Sequence, residues 1–324
     1  MKTYAASWLK ASVEEDLGGA RPVLKGSADE MRAQFSSLAS ALAPCYPPPS
    51  GAIKKETGSL DTLTYSIYAP VRSDNGRALP VGIYYHPGGF VLGPGDSDDV
   101  LCRAIAEQAN AIIFSVQYRL SPEHKAPAHL QDAVKGFEWA HQNATKFGGD
   151  PARMFAMGAS AGAGLAFSVT HRIALGHSVA DSNAVKGIVA LCPYAFHPDN
   201  IPQSCQSAHS SFEDHNENTP MIDGTSVRQF FDLAGLHPDD KSYFPGLCED
   251  YKHFPSTYIA TCEFDPLRDH GKVLEQALTK EGIPVRTSHY SGLPHCFWIF
   301  PSVSEVDVFI KDTVAGVQWV IEQM

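Results

Sequence analysis

A serine set among small residues, Gly158-Ala159-Ser160-Ala161-Gly162, follows the strand-like run RMFAMG and opens the helix-like run AGLAFSVTHRIAL. A serine hydroxyl is a poor nucleophile until a neutral imidazole accepts its proton and a carboxylate holds that imidazole in the right tautomer. The pattern G-x-S-x-G by itself is weak in a chain with 26 glycines. Its place at a strand-to-helix junction makes it specific. The tight turn strains the central residue, demands small neighbours and projects the hydroxyl at a helix N-terminus, whose dipole favours developing negative charge.

Fourteen histidines make a lone histidine uninformative. His295 differs from the rest because it follows the strand-like run PVRTSHY in a short Gly/Pro loop before the last helical stretch. Asp265 follows the run STYIATC at its carboxyl end. Both therefore fall on the rim that carries Ser160, in the chain order nucleophile, acid, base. Asp269 is a competing carboxylate. It falls in the first turn of the following helix, where an acid stabilises the macrodipole by about 0.3–1 kcal/mol, so its expected role is structural.

An oxyanion needs N–H donors unobstructed by side chains. The run VGIYYH leads into His86-Pro87-Gly88-Gly89-Phe90. Gly88 and Gly89 can donate, Ala161 beside the nucleophile can supply a third N–H, and Pro87 cannot donate at all. His86 is expected to brace this loop, and Glu123 and His124 to organise a turn. Phe90 and Phe297, just past the oxyanion glycines and the base, are the expected wall of a substrate pocket. The cluster AHSSFEDHNEN, with His209, Asp214 and His215, lacks the helical HExxH spacing and is expected to be a solvated lid segment, so no metal and no cofactor are called for.

These groups need elements to hold them. Strand-like runs (TLTYSIYAP, VGIYYH, AIIFSVQYR, RMFAMG, GIVALCPY, STYIATC, PVRTSHY) alternate with amphipathic helical ones, which implies crossover connections and a mostly parallel twisted sheet with helices on both faces. Asp74-Asn75-Gly76 offers a hairpin turn, so the first runs up to VGIYYH are expected to be antiparallel. Residues about 1–50 and about 197–244 stand outside the alternation. They are expected to form a small helical cap within a single domain spanning 1–324, offering Trp8, Leu9, Met31, Phe35, Leu38, Phe230, Phe231 and Leu233 to a cavity over Ser160.

Bulk properties exclude other classes. The chain has 324 residues, 44% of them hydrophobic, and a net charge of −11 with no basic block, which argues against a nucleic-acid partner. No run approaches the roughly 20 apolar residues of a membrane span, and acidic residues interrupt the N-terminus before a signal-peptide core can form. Seven cysteines with no CxxC pair read as free thiols in a reducing compartment, which points to a cytoplasmic protein.

With these residues in view, the chain resembles the hormone-sensitive lipase family of α/β-hydrolases over about residues 60–320. HPGGF stands where that family has HGGG. YRLSPEHKAPA (118–128) is similar to its Y-R-L-A-P-E-H segment, and GGDPARMFAMGASAG to its D-P-x-R-I…G-D-S-A-G stretch. FDPLRDHG (264–271) resembles D-P-L-R-D-E-G, and GLPHCF (292–297) resembles G-x-x-H-x-F. Two positions depart from the pattern: Pro87 replaces the first glycine of the oxyanion loop, and Ala159 replaces the acidic residue before the nucleophile. The resemblance implies an α/β-hydrolase fold with a helical cap and cofactor-free hydrolysis of a small-molecule carboxylic ester. Fungal natural-product esterases and polyketide-pathway enzymes are similar too, so acyl transfer or cyclisation at the same serine is the rival expectation. A non-catalytic receptor on this scaffold typically lacks the histidine that stands here at 295. A homodimer stays open.

Overall fold

The computed structural model describes residues 3–10, 22–71 and 76–324. Eight strands form one sheet in the order β1-β2-β4-β3-β5-β6-β7-β8. In chain order the elements are α1 (Ala6–Lys10), α2 (Ala28–Leu42), β1 (Ile53–Leu60), β2 (Leu63–Pro70), β3 (Leu79–Tyr85), α3 (Asp96–Gln108), β4 (Ile112–Gln117), α4 (Ala128–Asn143), β5 (Gly149–Ala159), α5 (Ala161–Ala174) and β6 (Val185–Leu191). There follow α6 (Gln203–Gln206), α7 (Ser211–Asp214), α8 (Gly224–Ala234), β7 (Thr257–Phe264), α9 (Arg268–Lys280), β8 (Val285–Pro294) and α10 (Glu305–Glu322).

From β4 through β8 every pairing is parallel, and the helical crossovers account for it. β3 is buried at all seven positions and β6 at all but one, the mark of strands covered on both faces. The sheet is thus mostly parallel, as the alternation of runs predicts, and it agrees with the α/β-hydrolase fold that the resemblance implies.

The first strands differ from expectation. β1 pairs antiparallel with β2, and β2 pairs antiparallel with β4 rather than with β3. Asp74-Asn75-Gly76 therefore makes no β2–β3 hairpin; residues 72–75 lie outside the described part of the chain. The physical reason is burial. β3 is apolar along its whole length and belongs in the sheet interior between β4 and β5, whereas β2 has exposed and half-buried positions at its ends. The observed hairpin is β1–β2, turning at Asp61 with φ 52°. β1, IKKETGSL, has no apolar run and escapes sequence detection. It is an edge strand, and its Lys54, Lys55 and Glu56 suit an edge that must resist pairing with another chain.

Two segments lie outside the sheet, and hydrogen bonds join them to each other. Val23 bridges Met221, with Leu24 N–H donating to Met221 O (2.9 Å) and Met221 N–H to Pro22 O (2.6 Å). Ser27 caps α2 in a capping box with Glu30, and Asp223 caps α8 with Ser226. Their buried side chains belong to the same continuous core as the sheet. Among the described residues, no helix is long and apolar enough to cross a membrane.

Candidate active site

β5 ends at Ala159 and α5 begins at Ala161, so Ser160 is the elbow between them, with φ 52° and ψ −118°. For a serine this is left-handed backbone, and it persists because the surroundings leave no alternative. A side chain on Gly162 would overlap the Tyr85 carbonyl of β3, and one on Gly158 would overlap Gly162 itself. Two glycines thus let helix and strand approach closely enough to force the turn. Ser160 N–H donates to Leu191 O of β6 at 2.8 Å, which fixes the elbow to the neighbouring strand.

His295 follows β8 and Asp265 follows β7, both at the carboxyl ends of their strands. The imidazole Nε2 lies 2.9 Å from Ser160 Oγ, and Nδ1 lies 2.7 Å from Asp265 Oδ2. A carboxylate can only accept, so Nδ1 carries the proton and Nε2 is left free to receive the serine's. Asp265 is itself held by the Leu267 N–H, which donates to Oδ1 at 2.7 Å. Burial alone would lower the His295 pKa. The adjacent Asp265 carboxylate, with Cys296 and Cys192 nearby, outweighs it and holds the pKa above 6.5. The arrangement can take a proton from a hydroxyl and return it to a leaving group.

Gly88 and Gly89 adopt φ 111° and 60°, and with Pro87 and Ala161 they line the cavity that contains Ser160 and His295. The loop is stiffened from behind. His86 Nδ1 donates to Pro87 O (2.7 Å), its ring stacks on Tyr118 at 4.2 Å, and Tyr118 Oη donates to His86 O (2.7 Å). Burial pushes the His86 pKa down to about 4, against a smaller opposing effect of the Pro87 carbonyl, so the ring is neutral and serves as a brace. Arg32 of α2 reaches the same loop. Its Nε donates to Val91 O (3.1 Å) and Nη2 to Ser121 O (2.8 Å), while the fork clasps Glu123 in two 2.7 Å bonds. Glu123 is therefore an anchor for the N-terminal segment, a role its position in a turn does not reveal.

Counted with the part open to solvent, the cavity holds about 720 Å³ of space not filled by protein atoms. Leu24 and Phe35 come to it from the N-terminal segment, and Met221, Ile222, Val227, Phe230 and Phe231 from the later one. Phe90 and Phe297 do not line it, contrary to expectation. Phe90 has φ 68°, which turns its ring behind the loop onto His129 (4.8 Å), and Phe297 packs on Tyr290, Trp298 and Phe309 beneath the turn. Adjacency in sequence to a rim residue says nothing about direction when the backbone bends at that residue. Trp8 meets Phe300 edge-on (4.9 Å) and is likewise absent from the lining, as are Leu9, Met31, Leu38 and Leu233.

Asp269 is structural, by a different means than expected. It accepts the N–H groups of Ser210 and Ser211 at 2.9 Å each and pairs with Arg268 (2.8 Å), so it ties the 197–244 segment to α9. His209 packs against His270 (4.7 Å) and Phe212, Asp214 pairs with Arg268, and His215 contacts Arg268, so these three do not converge as ligands. Among the described residues, the one group with donor atoms close enough for a metal is Cys192, Asp265 and His295, all within 4.8 Å. Two of its members, Asp265 and His295, are already joined by the hydrogen bond that orients the imidazole.

Sequence reading missed Asp98, Tyr194 and Cys296 as residues of this cavity, and Cys192 as a neighbour of His295. Asp98, Tyr194 and Cys296 line the cavity, and Cys192 contacts Cys262 (3.5 Å) beside His295. For Tyr194 and Cys192 a signal existed, since both stand just past β6 on the same rim. For Asp98 there was none, because three acidic residues share the first turn of α3 and only packing selects which one points inward.

Comparison with known proteins gives the family. A family model described as alpha/beta hydrolase fold matches residues 82–299. The chain is 39% identical over 322 residues, 99% of its length and 96% of the relative's, to a versiconal hemiacetal acetate esterase of Dothistroma septosporum. It is 32% identical to carboxylesterase NlhH of Mycobacterium tuberculosis, covering 87% of this chain and 86% of that one. The crystal structure of vibralactone cyclase superposes with a TM-score of 0.83 at 25% identity, over 99% of this chain and 96% of that one. The chain belongs to the α/β-hydrolase fold family, on its hormone-sensitive-lipase-like branch, and is an esterase-type hydrolase.

Proposed function

We propose that Ser160, His295 and Asp265 form a catalytic triad that hydrolyses small-molecule carboxylic esters with short to medium acyl groups through an acyl-enzyme. The observation that carries this reading is the unbroken chain of hydrogen bonds from Ser160 Oγ through His295 to Asp265, in a cavity bounded by Gly88 and Gly89. Ser160 Oγ attacks the ester carbonyl carbon while His295 Nε2 takes its proton. The N–H groups of Gly88, Gly89 and Ala161 stabilise the oxyanion, and His295 returns the proton to the departing alcohol. Water, deprotonated by His295, then attacks the acyl-enzyme and releases the acid. Pro87 stiffens the loop without removing the two glycine donors.

The two segments outside the sheet act as a cap that excludes water and limits the acyl chain. The 39% relative acts, by its name, on an acetate ester, which favours a secondary-metabolite ester with a small acyl group as the substrate here. The protein works in the cytoplasm, alone or as a homodimer, with no nucleic-acid partner. A second reading is acyl transfer or cyclisation at the same serine, favoured by the likeness to a cyclase and by a cavity walled largely with apolar side chains. Mass measurement of the adduct on Ser160, with and without a competing acceptor alcohol, tests both. A short acyl adduct that decays to free acid supports hydrolysis, a product carrying the acceptor supports transfer, and no adduct at Ser160 with any turned-over ester overturns both.

A further inference from the structure

The walls of the Ser160 cavity are aromatic and aliphatic: Phe35, Leu92, Val227, Phe230, Phe231 and Ile299. Apart from the reacting serine and histidine, the group there that is charged when ionised in water near neutral pH is Asp98, only 6% exposed. Among the described residues, no cation pairs with its carboxylate. Lys55 and Arg103 both pair with the neighbouring Asp99, at 2.5 and 2.6 Å. Asp98 accepts from Tyr84 Oη and from Gly95 N–H (2.8 Å), which uses two of about four lone-pair positions. Burial raises its pKa to about 6, with the two hydrogen bonds opposing.

Capping α3 accounts for only part of this: the Gly95 N–H that Asp98 accepts is the amide of the helix N-cap, and the other lone pairs of the carboxylate are not used by it. Asp96 and Asp99 stand in the same first turn and already supply negative charge to the helix N-terminus. A carboxylate confined among apolar walls with no partner charge is costly, and such groups persist where they are used. Tyr194 lines the cavity too, but the hydroxyl end of its ring lies against Gly164 of α5, so Asp98 is the strong acceptor that this space offers. Aromatic walls with one strong acceptor fit a flat ring that bears a hydroxyl group better than they fit a plain alkyl chain.

We propose that Asp98 is a specificity-determining residue that accepts a hydrogen bond from a hydroxyl on the leaving-alcohol part of the ester, so that the substrate class is short-chain esters of hydroxylated aromatic alcohols. The hydroxyl is assigned to the alcohol because a short acyl group has no room to carry it. This rests on the ester-hydrolase reading above, and the test separates the two. The probes are a naphthalenediol monoacetate, its methyl ether, and p-nitrophenyl acetate as a reference too small to need Asp98. The readout is the ratio of kcat/KM for the free-hydroxyl ester to that for the methyl ether. That ratio is independent of how much of a preparation is folded.

The wild-type ratio is expected to be at least about 10, the scale of one hydrogen bond to a charged group, and to fall near 1 in Asp98→Asn. The asparagine can still accept from Gly95 N–H and donate to Tyr84 Oη, so the fold is retained while the anionic acceptor is lost. A wild-type ratio near 1, or a ratio unchanged in Asp98→Asn, overturns the role of Asp98 while p-nitrophenyl acetate turnover keeps the hydrolase reading standing. Failure of wild type to hydrolyse any of the three esters sinks the hydrolase reading and this one with it. Should Asp98→Asn not fold, product inhibition of wild type decides: the free diol is expected to inhibit about tenfold more tightly than its monomethyl ether, and equal inhibition overturns the proposal.

Discussion

The rim of the sheet and the two segments proposed as its cap hold their residues by different physics. Ser160, Asp265 and His295 stand at the ends of β5, β7 and β8, three strands of one hydrogen-bonded sheet, and two glycine contacts leave the serine a single backbone conformation. The cap depends on a few side chains reaching across long sequence distances: Arg32 to Glu123, Asp269 to Ser210 and Ser211, and Phe230 resting on Gly89. Groups that must meet within tenths of an ångström are placed by backbone. Groups that choose among substrates are placed by side chains, which can change without disturbing the sheet.

The sharpest attack on this comparison is at the rim. Ser160→Ala should reduce ester hydrolysis by a factor of about 10⁴ or more with an unchanged thermal transition, and a fluorophosphonate should label wild type once, at Ser160. Retained turnover in a clean preparation would mean that the chemistry lies elsewhere.

Asp265→Asn should cost kcat about 10⁴-fold, because the amide favours the wrong tautomer of His295. The pH profile gives a second check. Base catalysis needs neutral His295, whose pKa lies above 6.5, so kcat/KM should rise with pH along a limb centred above that value. In Asp265→Asn the chief raising influence is gone, and the residual limb should move to lower pH. A limb that stays in place would assign the titration to another group.

Asp269→Asn tests the cap by contrast. It removes charge from an acceptor of two cap N–H groups and one guanidinium, so the expected loss is about 1–3 kcal/mol of stability with a modest fall in kcat/KM. This exceeds a helix-dipole effect. Its carboxyl is held below the usual carboxylate range: burial pushes it up, but Arg268 and the backbone donors overcome that. The sign follows. This contribution is present above the unfolded carboxylate pKa of about 4 and is lost as pH falls below it, so the variant's deficit in Tm should shrink in acid. A deficit that is constant down to pH 3 would refute the ion pair as its source.

Arg32→Ala frees the cap from the oxyanion loop while leaving the triad untouched, and should lower kcat by about tenfold, within the range seen when positioning rather than chemistry is lost. A change confined to KM would mean that Arg32 shapes the pocket without steadying the glycines. The smallest effect is the slope along a p-nitrophenyl ester series. Each methylene contributes about 0.8 kcal/mol while it fits and costs energy at a wall, so acetyl to hexanoyl esters should outrun those of twelve carbons or more. Rates that still climb at long chains would point to an open groove and a misplaced cap.

Local pattern made the rim legible. Period and composition marked seven of the eight strands, the elbow glycines and the Gly/Pro loop before α10, and in a parallel sheet the carboxyl ends of strands necessarily share one edge. β1 was hidden because an edge strand need not be apolar, and the strand order because β3 and β4 are interior by burial and not by chain proximity.

By itself, then, the order of residues determined the α/β class, the nucleophile elbow, and which serine, aspartate and histidine could meet, since each follows from contacts within a few residues plus the geometry of a parallel sheet. Only the tertiary structure decided that Phe90 turns away while Phe35 and Phe230 face the cavity. It alone decided that Glu123 anchors Arg32, and that Asp98 rather than Asp96 or Asp99 points inward. Those outcomes depend on a positive φ at one residue, on the phase of a helix against its neighbours, and on partners about 90 residues apart, none of which a local pattern encodes.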